Sequence, residues 1–135
     1  MARVDFYLCQ EGNLSRAMDI SCRLCEKAFR SGLGIHVQCA DESQTQAMDQ
    51  LLWSFSSTSF LPHSPHDGTC LIEINATPQR PCKLLVNLAG EWLPQAQQYQ
   101  RVAEVVTSDA AAVDDARQRY RQYRKLGWEL NNHKV

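Results

Sequence analysis

The chain has 135 residues, with 14 Lys or Arg against 15 Asp or Glu and a formal net charge of −1. This length predicts one domain, residues 1–135, that buries roughly two-thirds of its unfolded surface and builds a core without disulfides. The balanced charge disfavours a protein that coats nucleic acid with a basic surface. No apolar run approaches a membrane span of ~20 residues, and no signal-peptide core follows Met1, so we expect a cytoplasmic protein without membrane contact.

Strand and helix patterns alternate along the chain. Apolar residues recur near a spacing of 3.6 in the helical segments, and short apolar or aromatic runs mark the strands. In order, the predicted elements are a strand at residues 3–9, a helix from 13 to a glycine stop at 32–34, a strand at 35–40, a helix from 41 to about 55, a loop at 56–68, a strand at 70–74, a turn at 77–81, a strand at 83–88, a short helix at 95–99, a last strand at 102–107 and a final helix at 109–126. This alternation predicts an α/β fold, a single Rossmann-like domain with a mainly parallel sheet flanked by helices.

Six cysteines lie within apolar or helical segments, where a free cysteine is typical of a small core residue. Cys22 and Cys25 have the C-x-x-C spacing of zinc and redox sites. A zinc site would need a second ligand pair, and the sequence offers only four scattered histidines. A redox pair would stand at the start of a helix, whereas these two residues fall inside one. Core packing is the favoured interpretation, and metal or redox function is the alternative.

The turn after the first strand does not suit a nucleotide. Such a turn needs several glycines so that backbone N–H groups can approach a phosphate, and this one holds only Gly12, beside the anionic Glu11. We therefore predict no nucleotide-binding turn and no cofactor. Asp41 and Glu42 follow the second strand, where α/β sheets place ligands, so a metal-dependent enzyme using this pair is an alternative. The favoured interpretation is that Asp41 caps the second helix.

Positive charge is concentrated in the last helix. Residues 1–67 carry 5 basic and 8 acidic side chains, residues 68–135 carry 9 and 7, and five of the basic ones lie within residues 117–125. The acidic residues from Glu104 to Asp115 and the basic ones after them complement the dipole of a helix, which explains part of the pattern.

Tyrosines are interleaved with these arginines. Arg117, Tyr120, Arg121 and Arg124 share one helix face, and Arg119 with Tyr123 forms a neighbouring stripe. Guanidinium groups around aromatic rings suit an anion that carries an apolar group. A peptide C-terminus preceded by acidic residues is one such ligand, and single-stranded nucleic acid is another. The alternative is a solvated helix face with its tyrosines turned inward.

A second informative segment combines aromatic residues with a Pro-rich loop. Trp53 and Phe55 end the second helix, and Phe60, Leu61 and Pro62 follow within the loop. Such a cluster marks a protein interface when it is exposed, or completes the core when it lies beneath the loop.

These residues together resemble the chi subunit family of bacterial DNA polymerase III. The resemblance spans nearly the whole chain and depends on the order and spacing of Phe6-Tyr7-Leu8, Arg30-Ser31-Gly32, Asp41-Glu42, Leu51-Leu52-Trp53, Ser59-Phe60-Leu61-Pro62-His63, the apolar run 84–88, Glu104-Val105-Val106 and Arg117-x-Arg119-Tyr120-x-x-Tyr123-Arg124-x-x-Gly127-Trp128-x-Leu130-Asn131. It implies a Rossmann-like domain without nucleotide binding or catalysis. It also implies an accessory of the clamp-loader assembly that links the psi subunit to the C-terminal tail of single-stranded DNA-binding protein. That tail is acidic and ends in a phenylalanine with a free carboxylate.

The resemblance also implies where the tail binds. It places the tail on Arg117, Tyr120 and Arg124, with Arg117 on the terminal carboxylate. Tyr120 and Val106 would form the apolar wall, and Arg121 and Arg124 would attract the acidic residues of the tail.

The surface facing psi maps, by the same resemblance, to Trp53 and to Phe60, Leu61 and Pro62. We expect a monomer that forms a heterodimer with psi. The chain departs from the best-known chi subunit at Val113, where that protein has a lysine, and in a shorter stretch at residues 107–112. Tail binding could therefore use different charges here.

Overall fold

The computed structural model describes residues 2–10, 14–54, 63–64, 72–74 and 84–135. At positions 53, 63, 64 and 73 it describes the backbone only. The elements are β1 (Arg3–Leu8), α1 (Leu14–Arg30), β2 (Ile35–Gln38), α2 (Glu42–Ser54), β3 (His63–Ser64), β4 (Ile72–Ile74), β5 (Leu84–Asn87), a 3-10 helix (Pro94–Gln98), β6 (Arg101–Val106), α3 (Ala110–Lys125) and β7 (Glu129–Lys134).

The strands form one sheet in the order β3-β4-β2-β5-β6-β1-β7, and every described strand pair is parallel. Parallel neighbours need crossover connections, which α1, α2 and α3 supply between the strands. The prediction of an α/β fold with a parallel sheet flanked by helices is confirmed.

Side chains alternate between the two faces of the sheet, so each face has its own core. One core packs α1 and α2 against the sheet and includes Ile35, Val37 and Met48. The other packs α3 against the opposite face and includes Val4, Phe6 and Tyr123. The two faces therefore bury different helices, and of the three α-helices only α3 contributes described residues to the second core.

The observed helix ends follow the predicted signals. The Asp41 Oδ1 atom accepts a hydrogen bond from the Gln44 backbone N–H at 2.8 Å, which is the N-cap of α2. Asp109 caps α3 through the backbone N–H of Ala112, and α3 stops before Gly127, whose φ of 80° suits a residue without a Cβ.

Two strands were not predicted. The prediction that the strand at 102–107 is the last one is wrong, because β7 follows α3 and pairs with β1. The β7 sequence ELNNHK has a single apolar residue, since its side chains are largely exposed at the sheet edge, so no period-two pattern marks it. The two-residue β3 lies within the predicted loop 56–68. The predicted turn at 77–81 and the turn holding Gly12 lie outside the described residues.

The four described cysteines, Cys9, Cys22, Cys25 and Cys39, are buried and free. Burial raises the pKa of the Cys22 thiol to about 12 and keeps it protonated. Core packing is thus confirmed for the C-x-x-C pair, while Cys70 and Cys82 lie outside the described residues. Within the described ranges no group of three or more His, Cys, Asp or Glu could hold a metal ion. No helix in those ranges is long and apolar enough to cross a membrane.

Candidate functional site

A groove of about 690 Å³ lies between α3 and the strands β1 and β7 at one edge of the sheet. Its floor is apolar. Phe6 and Leu8 of β1 form the base, and the rings of Phe6 and Tyr120 lie with their centroids 5.5 Å apart. Val113 and Ala116 of α3 complete the apolar surface. An apolar side chain of a ligand could therefore pack against aromatic and aliphatic groups here.

The geometry of helix α3 and of the paired strands β1 and β7 explains why the side chains that line the groove lie together. The groove residues of α3 follow the spacing i, i+3, i+4, i+7, i+8 and i+11 from Val113 to Arg124, which is one face of a helix. On the sheet, Phe6 stands in register with Asn132, and Leu8 with Lys134. Residues in register on adjacent strands point to the same face of a sheet, so β7 extends the groove outward.

The rim of the groove is cationic. Arg117, Arg121 and Arg124 of α3 and Lys134 of β7 line it, and all four side chains are exposed. Arg117 forms an ion pair with Asp114 at 3.5 Å, in which both side chains are about 70% exposed. Among the described residues, no carboxylate lies within 4.0 Å of the other three cations. An apolar floor beneath unpaired cations suits an anion that carries an apolar group.

On the side of α3 that contacts β6, a buried polar network fastens the helix to the sheet. The carboxylate of Glu104 in β6 is fully buried and accepts four hydrogen bonds: from Arg119 Nε at 2.9 Å, from Tyr123 Oη at 3.0 Å and from Asn87 Nδ2 on both oxygens at 3.0 Å. Arg119 also donates to the carbonyl oxygen of Gly90 at 2.7 Å. Burial raises the pKa of Glu104, while the guanidinium of Arg119 and the donated hydrogen bonds act in the opposite direction.

This network gives the positions of two features noted in the sequence. Arg119 and Tyr123 form the stripe beside the predicted anion-binding face, and they are only 3% and 0% exposed and contact Glu104, so this stripe faces the sheet. The alternative of a tyrosine turned inward holds for Tyr123. Glu104 lies in the middle of β6, within the strand predicted at 102–107 and between buried apolar neighbours, so it takes no part in the acidic start of the last helix. A charge inside an apolar strand was the available signal, because such a charge needs a buried partner.

The sequence model of the family described as DNA polymerase III chi subunit, HolC, matches residues 1–131. The chain belongs to this family. It is 35% identical to the DNA polymerase III subunit chi of Pseudomonas aeruginosa over 139 aligned residues, which cover 100% of this chain and 98% of that protein.

Two further chi relatives match over nearly their full length. The protein of Haemophilus influenzae is 29% identical over 96% of this chain and 95% of its own, and that of Escherichia coli is 29% identical over 97% of both. The resemblance found in the sequence is thus confirmed. As a chi-family member, the chain is a subunit of DNA polymerase III and acts in bacterial DNA replication.

The residues predicted for the tail site do not all lie in the groove. Arg117, Tyr120, Arg121 and Arg124 all line the groove. Val106 does not line it, and this residue at the end of β6 packs within the core under α3. The apolar residues of the groove are instead Phe6, Leu8 and Ala116, together with Val113, the position at which the sequence departs from the best-known chi subunit.

The other predicted sites are only partly described. Trp53 lies near the end of α2, and Phe60, Leu61 and Pro62 lie outside the described residues, as does Phe55. The Asp41 carboxylate is engaged as the cap of α2, and Gln44 closes the cap by accepting the Ala40 N–H at 2.6 Å. This geometry favours the capping interpretation over a metal site at Asp41 and Glu42.

Proposed function

We propose that this chain is the accessory subunit of the DNA polymerase III clamp-loader assembly that binds the acidic C-terminal tail of single-stranded DNA-binding protein and joins it to the psi subunit. We propose no catalytic activity for the chain itself. The observation that supports tail binding is the groove between α3 and β7, where three cations without a carboxylate partner in the described structure stand above an apolar floor.

The terminal residue of the tail would occupy the groove in one orientation. Its phenyl ring would pack on Phe6 and Tyr120, whose rings already adopt a tilted contact at 5.5 Å. Its carboxylate would take the two-pronged hydrogen bonds that a guanidinium offers, with Arg117 as the donor. Arg117 would exchange its contact with Asp114, and an exposed pair of this kind contributes only about 0–1 kcal/mol.

The acidic residues that precede the terminal phenylalanine would meet Arg121 and Arg124. Both side chains are exposed and line the same groove. Attraction between exposed charges weakens as salt rises, because the screening length falls to about 8 Å at physiological ionic strength. The proposed binding is therefore salt-sensitive.

A titration with a fluorescent tail peptide tests this function. We expect Arg117→Gln and Arg124→Gln each to weaken binding about 10-fold, the effect of losing a charge-assisted hydrogen bond of roughly 1.5 kcal/mol. Lys125→Gln is the matched control, because it removes the same charge from an exposed position of α3 outside the groove. A peptide with an amidated C-terminus should bind as weakly to the wild type as the free-acid peptide binds to Arg117→Gln. Equal binding by all variants would contradict the assignment.

The same titration separates tail binding from direct binding of single-stranded DNA. An oligonucleotide without any protein partner should bind far more weakly than the tail peptide. Tight oligonucleotide binding that Arg124→Gln abolishes would replace the tail with nucleic acid as the ligand of this groove.

We propose that psi binds at Trp53, near the end of α2, and at the segment Phe60-Leu61-Pro62. Light scattering should show a monomer for this chain alone and a one-to-one complex with psi from the same organism. Trp53→Ala should abolish the complex, and Arg124→Gln should leave it intact. The reverse pattern would show that the two partners were assigned to the wrong surfaces.

A further inference from the structure

The outermost strand β7 has one edge without a partner strand in the described part of the sheet. The sheet order ends at β7, which pairs with β1 alone. The Glu129 N–H donates to the Ala2 carbonyl oxygen at 3.1 Å, and the Val135 N–H donates to the Leu8 carbonyl oxygen at 3.0 Å. Successive residues of a strand direct their backbone groups to opposite edges, so positions 129, 131, 133 and 135 face β1. Leu130, Asn132 and Lys134 therefore direct their N–H and C=O groups outward.

The free edge is also the outer rim of the groove. The side chains of Asn132 and Lys134 line the groove, while the backbone groups of the same two residues point away from the sheet. A chain that leaves the groove over this rim meets a row of backbone donors and acceptors to which no other described residue is paired. The cations Arg121, Arg124 and Lys134 stand around its path, and within the described ranges none of them has a carboxylate partner.

We propose that the free edge of β7 binds an extended acidic peptide as an added parallel or antiparallel strand, next to the groove that holds the end of that peptide. The proposal rests on the proposed function, since its occupant is the acidic segment directly before the terminal residue of the tail. Backbone pairing of this kind is a general mode of peptide recognition, in which the main chain gives affinity. Charge complementarity selects the occupant: an acidic strand beside Lys134 and the α3 arginines is attracted, and a basic one is repelled.

The length of the edge limits the segment that it can bind. The six residues of β7 span about 20 Å at roughly 3.3 Å per residue. Three outward residues offer three N–H and three C=O groups, which pair with a segment of about five residues. Peptide backbone groups would contribute at alternate positions only, so recognition should show a period of two along the peptide.

Residue-resolved hydrogen exchange by NMR tests the pairing directly. In the free chain, the amides of Leu130, Asn132 and Lys134 should exchange fast, and those of Asn131 and His133 slowly. A saturating tail peptide should slow exchange at the first three about 3- to 10-fold, the protection expected from one added hydrogen bond each of about 1 kcal/mol. Unchanged exchange at these three amides in a peptide-bound sample would overturn the edge proposal while leaving the tail site in place.

A proline substitution gives an independent test. Asn132→Pro removes one outward N–H, and proline is tolerated in edge strands where the N–H faces solvent. It should weaken peptide binding about 3- to 10-fold relative to the matched variant Asn132→Ala, which keeps the N–H and loses the same side chain. Equal affinities would contradict the proposal.

A set of tail peptides methylated on single backbone nitrogens needs no variant of the chain. We expect affinity to fall at every second methylated position before the terminal residue. Methylation tolerated at all positions would count against edge pairing. A different outcome is protection of the three outward amides in the absence of peptide, increasing as the concentration of the chain rises. That result would show that a second copy of the chain occupies the edge, and it would also overturn the proposal. Failure of every tail peptide to bind would instead refute the proposed function.

Discussion

The buried pair of Glu104 and Arg119 allows a quantitative prediction for stability. Their side chains are 0% and 4% exposed, at a distance of 2.9 Å. Arg119→Met keeps the bulk of the side chain but leaves the Glu104 carboxylate buried without its cation. Breaking a buried pair in this way costs about 3–5 kcal/mol. Because Asn87 and Tyr123 still donate to the carboxylate, we expect a loss of about 3 kcal/mol, or about 10 °C in the melting temperature.

A double variant separates an unpaired charge from lost packing. Glu104→Gln with Arg119→Met removes both charges and keeps an oxygen that accepts from Tyr123 and Asn87. We expect the double variant to be more stable than Arg119→Met alone by about 2 kcal/mol, measured by urea unfolding at pH 7.5. Arg117→Met is the control, since its exposed pair with Asp114 should contribute less than about 1 kcal/mol. A cost for Arg119→Met no larger than that of the control would refute the reasoning.

Two further predictions concern the rest of the fold. Burial lowers the pKa of His36 from 6.5 to about 4, so below pH 6.5 the unfolded chain binds a proton that the folded chain does not. Stability should therefore fall by about 3 kcal/mol between pH 7 and pH 4 from this group alone. His36→Gln should flatten the pH dependence measured by urea unfolding, and an unchanged slope would exclude His36 as its source. Gly127 has a φ of 80° with no heavy atom within 4 Å of an added Cβ, so Gly127→Ala should cost about 1–2 kcal/mol through backbone strain alone. No change in the urea midpoint would show that the turn relaxes without strain.

The sequence predicted α3 and its groove face well because the signals were local. An N-cap at Asp109, a stop at Gly127 and arginines at helical spacing are all visible in one stretch of chain. The strand β7 has no comparable signal, since an edge strand with exposed side chains carries no apolar alternation. The two groove residues that β7 contributes, Asn132 and Lys134, were missed with it.

Tertiary contacts explain the remaining errors at the site. An arginine of α3 faces the sheet when a buried carboxylate of β6 lies within hydrogen-bond distance, and it otherwise faces solvent. Glu104 is such a carboxylate, and Arg119 points inward to contact it. Val106 and Val113 are both valines, but they have different environments. Val106 lies in a strand and is buried under α3, whereas Val113 lies on the face of α3 that lines the groove. Residue type and spacing do not distinguish these environments before the sheet order is known.

The net charge of −1 conceals the feature that supports the proposed function. Three arginines and Lys134 surround one groove on a nearly neutral molecule. An acidic protein tail fits this local distribution better than the long phosphate backbone of DNA, which would need a more extended basic surface.

The measurement that tests the proposed groove most directly is a crystal structure of the chain with the tail peptide of single-stranded DNA-binding protein. We expect the terminal phenyl ring on Phe6 and Tyr120, with the terminal carboxylate within hydrogen-bond distance of Arg117. A peptide bound on the face covered by α1 and α2, or a terminal carboxylate with no arginine of α3 beside it, would contradict the proposed site.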